Sequence, residues 1–350
     1  MGALPHAAWH CVHVYYHAPD KDGLLLDAVR PLFREIRAHV EAAYVLRHWR
    51  QGPHLRLNVR TDRQTWEGFV RPRIDQVIGD YLRRHPSTTV LDQRESLAWH
   101  RLLAIREQER GPLTPWHPDN SIRDAPFDPR GHVLGGDAAV ELLTTFYSDS
   151  TPLLFAMLDH ARAGRDSKRD LAVNLLLTAA YAGRPLAEGL ASCRAHAEAY
   201  ITWSADPGGT LAAFDREYRL RRTRLVQRVR HVLRTLDGTA PGPHERGTQE
   251  AAAFVREWAA LLARYARRPE VPAPRPPSSR PLPRPVTRAG DAALDYTYLH
   301  LERLGLTSLQ RFSALYQVAR AAGAVAAAAA AGEEYVPEER AGHGSWGWGT

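Results

Sequence analysis

The first third of the chain shows two periods of apolar residues. Over residues 9–16, apolar and polar side chains alternate in a run rich in Val, Tyr and Trp, which is typical of a half-buried strand. From Asp22 onward, apolar residues recur every three or four positions, as at Leu25 and Val29. Because Asp is a common helix N-cap, a helix is predicted to follow the first strand.

The same two periods recur downstream. Residues 43–50 and 54–60 read as two strands, and Gln-Gly-Pro at 51–53 supplies the turn of a hairpin. A helix capped by Asp62 follows, and β-forming residues at 88–93 predict a last strand. This βαββαβ order predicts an α+β fold, with an N-terminal ferredoxin-like sheet packed against a mainly helical C-terminal lobe.

Beyond the sheet the apolar period becomes helical. Helices are predicted at 137–147, 151–163, 167–182, 186–205, 210–236, 249–268, 291–304 and 308–331. Eight prolines between positions 269 and 285 favour an extended segment. The expected organisation is a sheet lobe at 1–109, an irregular connector at 110–136, a helical lobe at 137–268, a Pro-rich loop at 269–286, C-terminal helices completing the site at 287–331, and a flexible tail at 332–350.

Charge narrows the choice of partners. The net charge is +7, and the only lysines are Lys21 and Lys168, so the positive charge is almost entirely arginine. Guanidinium groups suit carboxylates, and the stripe of arginines at 216–234 suits an acidic peptide. No nucleic-acid-binding module accompanies this charge, so a nucleic-acid partner is not expected.

Other classes of site lack sequence support. The two cysteines, Cys11 and Cys193, have no metal-ligand spacing, and no glycine-rich nucleotide loop or metalloprotease motif is present. We therefore expect neither a metal nor a cofactor. Residues 1–9 carry no signal-peptide pattern, and the apolar run 321–331 is about half the ~20 residues of a membrane span. A cytoplasmic protein without membrane contact is expected.

Two polar clusters could carry chemistry. In the predicted hairpin, His54, Arg56 and Asn58 point to one strand face, close to Trp49. Imidazole and guanidinium on one face suit an anion or a developing oxyanion, although a solvated strand face is the plainer interpretation. In the predicted helix 291–304, a second cluster of phenol, imidazole, carboxylate and guanidinium groups could move protons, although packing between helices is the plainer interpretation. Its residues are Tyr296, His300 and Arg303 on one face, and Tyr298 and Glu302 on another.

These clusters resemble motifs of the thiopeptide-type family that is related to the elimination domain of lantibiotic dehydratases. Residues 47–57, Arg-His-Trp-Arg-Gln-Gly-Pro-His-Leu-Arg-Leu, are similar to that family's hairpin, and residues 298–305 to its C-terminal helix motif His-Met-His-x-Asn-Arg-Leu. Residues 9–16 resemble its first strand. Arg130 with Gly135, Gly136 and Tyr147 is a weaker echo of an Arg-Tyr-Gly-Gly element. The resemblance implies an elimination-domain-like fold.

The family divides by reaction. Glutamate-eliminating members hold the glutamyl group with several arginines, and a histidine helps to remove the α-proton. Here Asn58 stands at one of those arginine positions and Tyr298 at a histidine position. The resemblance therefore favours the other branch, the stand-alone pyridine synthases, which join two dehydroalanines by a formal aza-(4+2) cycloaddition and expel the leader peptide.

The resemblance also implies residue roles. Tyr298 is the predicted proton donor to the amide oxygen, and Tyr296 and His300 are predicted to relay protons. His54 and Arg56, with Trp49 and Asn58, are predicted to bind the substrate and steady its oxyanion. The expected partners are a dehydrated precursor peptide with an acidic leader and other pathway enzymes. A glutamate-elimination subunit and a non-catalytic leader-binding scaffold stay open as alternatives. An arginine cluster around a glutamate-sized pocket would favour elimination, and a wider slot beside Tyr298 would favour ring closure.

Overall fold

The computed structural model describes residues 7–134, 136–238, 246–266 and 292–330. Its sheet has four antiparallel strands in the order β2-β3-β1-β4, which is the ferredoxin-like order that the sequence predicted. The strands are β1 (Ala8–Tyr15), β2 (Ala42–His48), β3 (His54–Thr61) and β4 (Ser121–Ala125). Strand β1 lies between β3 and β4, pairing Val12 with Leu57 on one side and with Asp124 on the other.

The predicted position of the fourth strand was wrong. Residues 86–92 have no regular structure, and Val90 is 95% exposed. The carboxylate of Asp92 accepts bonds from the backbone N–H groups of Arg94 and Glu95, so it caps a helix and ends the β-forming run. Strand β4 lies instead inside the stretch 110–136 that was predicted to be irregular, which also contains a short helix, α4 (Gly131–Leu134).

Two helices cover one face of the sheet. Helix α1 spans residues 22–36 and helix α2 residues 63–84, each with a π-helical turn, at Leu25–Val29 and Trp66–Val70. Each π turn comes just before an Arg-Pro pair, where the backbone N–H of the arginine bonds five residues back. The wider turn admits the proline ring, which would clash with a carbonyl in a regular helix.

The remaining helices form the second lobe and a cover over the sheet. Helix α6 lies at the centre of the lobe and is buried on nearly all sides, from Leu171 to Ala180. The helices are α3 (Gln93–Glu107), α5 (Asp137–Arg162), α6 (Lys168–Tyr181), α7 (Leu186–Trp203), α8 (Pro207–Leu236), α9 (Arg246–Ala266), α10 (Ala292–Arg303) and α11 (Ser308–Ala330). The predicted Pro-rich loop at 269–286 and the tail at 332–350 lie outside the described residues.

Helix α5 corrects another prediction, because it is continuous where two helices, 137–147 and 151–163, were expected. Pro152 lies inside it and removes one backbone donor. The hydroxyl groups of Ser148, Ser150 and Thr151 donate to carbonyls four residues back, at 2.9, 2.7 and 2.7 Å. The helix continues because apolar residues on both sides of Pro152 are buried, and this packing outweighs the lost backbone bond.

Helix α10 is joined to the sheet by a buried arginine, Arg303. Its guanidinium donates from Nε to the Val45 carbonyl in β2 at 3.0 Å, and to the hydroxyls of Ser150 and Thr151 in α5 at 2.7 and 2.5 Å. Burial lowers the pKa of Arg303 to about 10, so the group stays charged at neutral pH. All three hydrogen-bond partners are uncharged.

A second arginine completes this junction. Arg47 in β2 donates from Nε to the Arg303 carbonyl at 3.0 Å and from Nη2 to Asp22 at 3.0 Å. Gly305 has a φ of +90°, and a Cβ there would lie 2.9 Å from the Arg47 guanidinium carbon. The hairpin motif and the C-terminal helix motif of the sequence therefore meet in space.

No helix among the described residues is long and apolar enough to cross a membrane.

Replacing Arg303 with Met should lower the free energy of unfolding by about 1–3 kcal/mol, because the buried Val45 carbonyl loses its side-chain donor. Urea unfolding monitored by circular dichroism measures this. The matched control is Arg63→Met, since Arg63 is 85% exposed and forms one helical ion pair with Glu67; its effect should stay within about 0.5 kcal/mol. Equal effects of the two variants would contradict the junction's importance.

Candidate active site

The polar face of the sheet is buried, not solvated. Cys11 and Tyr44 flank Asn58, and Tyr15 and His48 flank His54, in the registers of β1, β3 and β2. Helix α3 and the segment after it cover this face, where Trp49 packs on His100 and His100 on Trp116, with ring centroids 4.8 and 5.3 Å apart.

Three imidazoles within this face are held uncharged. His54 lies 4.4 Å from His13 and 5.3 Å from His48, measured between ring centroids. Burial lowers the pKa of all three, and the nearby Arg56 lowers each further; the pKa of His13 falls to about 3. Neutral imidazoles can stack tightly beside guanidinium groups without adding positive charge.

A pocket of about 100 Å³ opens where the end of β2 meets α5 and α10. That volume admits reacting groups but not a whole peptide, which would have to lie across its mouth. Its polar lining combines arginines, carboxyl groups and phenols from distant parts of the chain. These residues are Tyr44, Arg47, His48, Trp49, Arg56, Glu107, Asp128, Arg130, Thr144, Tyr147, Glu302 and Arg303.

Glu107, the last residue of α3, is the group in this pocket best suited to move a proton. Its Oε2 accepts a hydrogen bond from Trp49 Nε1 at 3.0 Å. Burial, and then the neighbouring carboxylate of Glu302, raise the pKa of Glu107 to about 7, against the opposing effects of Trp49 and Arg130. A carboxyl group with a pKa near neutrality can both donate and accept a proton under working conditions.

Tyr147 is a second proton-bearing group of the lining. Burial, and then Glu302, raise the pKa of this phenol above its ordinary value, so it stays protonated and can donate. Its ring stacks on Tyr44 at 5.2 Å and lies 5.3 Å from the Arg303 guanidinium. Glu302 is fixed by Arg311 at 3.1 Å.

The seven residues predicted for the site fall into three groups. Arg56 and Trp49 line the pocket, whereas His54 and Asn58 lie buried beneath it; His54 Nδ1 lies 2.8 Å from the Gly52 carbonyl. The three predicted catalytic residues do not line the pocket, because α10 presents Leu299, Glu302 and Arg303 to it. Those three are Tyr296, Tyr298 and His300.

Tyr296 and His300 pack in the core between helices. Tyr296 contacts Phe146 with ring centroids 4.5 Å apart, and His300 contacts Trp258 at 4.6 Å. Tyr298 lies on another face of α10, with the Arg311 guanidinium 4.1 Å above its ring. Burial raises the pKa of Tyr298 to about 12, which keeps this phenol protonated.

Sequence reasoning missed the acidic side of the pocket. The weak echo at 130–136 with Tyr147 downstream marked two lining residues, Arg130 and Tyr147, although no role was given to them. Glu302 was noted only as a neighbour of Tyr298. Glu107 carried no signal, because the helix that it ends was not predicted. Exposed apolar residues on that helix, such as Ile105, hide its amphipathic period. Among the described residues, no group of three or more His, Cys, Asp or Glu could hold a metal ion.

The chain belongs to the family described as lantibiotic biosynthesis dehydratase C-term, whose profile matches residues 9–322. Among solved structures, it is similar to the pyridine synthase TbtD from thiomuracin biosynthesis, with 35% identity, 91% of this chain and 98% of that chain covered, and a TM-score of 0.74. This agrees with the resemblance drawn from the sequence. Among curated protein sequences, none matches the chain.

Two more distant structures share the fold. TsrL is 21% identical, with a TM-score of 0.59 over 91% of this chain and 95% of that chain. The tRNA-dependent lantibiotic dehydratase MibB, from a Microbispora species, is 15% identical, with a TM-score of 0.50 over 92% of this chain and 28% of that chain.

The buried imidazoles predict acid sensitivity. A histidine whose pKa is lowered by folding contributes stability above its unfolded pKa of about 6.5, and this is lost as pH falls from there toward the folded value, about 3 for His13. The free energy of unfolding in urea should fall by about 1.4 kcal/mol per pH unit for each such histidine. His13→Phe, which keeps a ring against His54, should reduce that slope. An unchanged slope would show that other groups take up the protons.

Proposed function

We propose that this chain is an enzyme of ribosomal peptide maturation, a pyridine synthase. It binds the leader of a dehydrated precursor peptide and joins two dehydroalanines by a formal aza-(4+2) cycloaddition. Loss of water and expulsion of the leader as an amide then leave a pyridine in a macrocycle. The observation that carries the proposal is the 35% identity to the pyridine synthase TbtD, which extends over 98% of that chain.

The pocket chemistry supports this reaction. One peptide amide must shift to its imidic-acid form, which needs a donor at oxygen and an acceptor near nitrogen. Glu107 and Tyr147 supply proton-bearing groups. Arg56 and Arg130 also line the pocket, and because three arginines share the single carboxylate of Glu109, their excess positive charge can stabilise charge on the amide oxygen. Holding the two alkenes face to face can supply much of the rate acceleration, so the proposal requires no cofactor.

A specific observation disfavours glutamate elimination. The guanidinium groups of Arg50, Arg56 and Arg130 converge on the chain's own carboxylate, Glu109, at 3.4, 3.6 and 3.2 Å. A glutamyl substrate bound by these arginines would have to compete with a resident carboxylate. The arginine cluster is therefore not an empty glutamate site, and ring closure is the better proposal, although the pocket has no slot beside Tyr298.

The leader is proposed to be acidic and to contact the arginine-rich surface. Part of the stripe at 216–234 is already engaged, because Arg221 and Arg224 pair with Asp170, and Arg228 with Asp166. Exposed arginines, including Arg216 and Arg219, remain on the outer face of α8. We propose that an acidic leader binds along this outer face. Other pathway enzymes are proposed as further partners, and a non-catalytic leader-binding scaffold is the second alternative function.

The first experiment incubates the purified chain with a leader-bearing peptide that already contains two dehydroalanines, followed by mass spectrometry. A cyclic product and a released leader carboxamide are expected. Loss of glutamate from a glutamylated serine peptide, without cyclisation, would mean that the chain is the elimination enzyme. Leader binding without any product would favour a scaffold.

Two variants then separate the candidate proton donors. Glu107→Gln should lower kcat about 100-fold, because it removes a titrating group from the pocket. If Glu107 acts as an acid with a pKa of about 7, the wild-type kcat should decline above that pH, and the variant should lose this dependence. The control is Glu95→Gln, an exposed position in the first turn of the same helix.

Tyr298→Phe tests the donor predicted from the motif. A loss of kcat comparable with that of Glu107→Gln would support Tyr298 as donor to the amide oxygen, with Tyr296 and His300 as its proposed relay. An unchanged kcat would leave Tyr298 as a packing residue under Arg311. Product formation is measured by mass spectrometry under single-turnover conditions.

A further inference from the structure

Glu109 is a deeply buried carboxylate beside the pocket, with a side chain only 1% exposed. Around it lie Arg50 from the β2–β3 turn, Arg56 from β3, Arg130 from the loop before α4, and the imidazole of His48 at 3.6 Å. Neither carboxylate oxygen makes an aligned hydrogen bond with the described residues. The attraction is therefore mainly one of charge, in surroundings where charge is poorly screened.

Two of these arginines, together with His132, also hold the backbone around Glu109. The carbonyl of Glu107 accepts a bond from Arg130 Nη2, the carbonyl of Gln108 lies 3.0 Å from His132 Nε2, and the carbonyl of Arg110 accepts from Arg50 Nη1. These carbonyls belong to the C-terminal end of α3 and the residues just after it, where intrahelical donors run out. Arg50 and Arg130 thus contact both the Glu109 side chain and the main chain of residues 107–110.

Local geometry fits this arrangement. Gln108 has a φ of +51°, which ends α3 and turns the Glu109 side chain inward. Gly111 follows with a φ of +99°, a backbone conformation that favours glycine, and a Cβ there would lie 2.7 Å from Arg50 Nη1. The outer positions of α3, such as Trp99 and Ile105, are exposed. Its C-terminal end is therefore a main point of attachment.

We propose that Glu109 is a positioning residue: its buried ion cluster anchors the end of α3 and thereby sets the Glu107 carboxyl in the pocket. The expected effect on kcat rests on the proposed function, whereas the anchoring of α3 does not. Glu107 is faced by Trp49 from the end of β2, Glu302 from α10 and Arg130 from the loop before α4, with Glu109 next but one in sequence.

The charge of Glu109 should affect the pH dependence of kcat, which a purely structural role in packing would leave unchanged. The negative charge of Glu109 raises the pKa of Glu107, whereas the positive charge of Arg130 lowers it. Glu109→Gln removes the first effect and leaves the Arg130 guanidinium without this partner. The pKa of Glu107 should then fall, and the alkaline limb of the kcat profile should move to lower pH.

The experiment compares Glu109→Gln, Glu109→Asp and the exposed control Glu95→Gln in the full chain with the dehydroalanine peptide. Glu109→Gln should lower kcat about 10- to 100-fold with little change in KM, because a carboxyl group displaced by about 1 Å works poorly. Glu109→Asp keeps the charge but shortens the side chain, so its alkaline limb should stay in place while kcat falls. Glu95→Gln should match the wild type.

Hydrogen–deuterium exchange on the same proteins needs no activity. Glu109→Gln should speed exchange in residues 93–110 while leaving α6 and the inner strands protected. The inference would be overturned if the wild type is active and Glu109→Gln matches it both in the alkaline limb of kcat and in exchange. An inactive wild type with faster exchange in the variant would overturn the proposed function but support the anchoring role. Should Glu109→Gln fail to fold, Glu109→Asp carries the exchange test.

Discussion

The buried guanidinium of Arg303 is the interaction on which the architecture depends. It reaches a strand carbonyl and two helix hydroxyls, so α10, β2 and α5 are fixed to one another through a single side chain. Burying a charge without a carboxylate is costly unless its donors are satisfied, and here hydroxyls that also bond their own helix satisfy them. The pocket forms along this junction, so its shape depends on the same group.

Around that junction, charge is organised by burial. The sheet's polar face contains imidazoles held neutral by desolvation, and next to them three arginines share one carboxylate. Removing water strengthens every remaining interaction between charges. Burial also penalises the charged form of a carboxyl group, so Glu107 can keep its proton near neutral pH although guanidinium groups stand close by.

Local pattern predicted the first three strands and most of the helices, since periods of two and of three to four residues are set by neighbours in sequence. It did not predict helix α3, where exposed apolar residues such as Trp99 and Ile105 blur the helical period. It failed at β4, because Ser-Ile-Arg-Asp-Ala at 121–125 has the polar composition of a short edge strand, whereas the β-forming residues near Val90 are cut off by a capping Asp92. It also failed at Pro152, where the burial of apolar residues on both sides outweighs a helix breaker. For the site, the alternating face of β3 marked Arg56. The packing partners of Tyr296 and His300 lie far away in sequence, so local pattern could not predict them. The same holds for Glu107, which bonds to Trp49.

The junction has a consequence for the order of folding. Its donors and acceptors lie at positions 45, 150, 151 and 303, so the chain must close very long loops before the pocket has walls. Contacts between residues this far apart form late, after local helices and the hairpin. During synthesis the sheet and the first long helices can emerge and fold while the pocket still lacks one side. A chain stopped before residue 303 would have most of its secondary structure and no complete cavity.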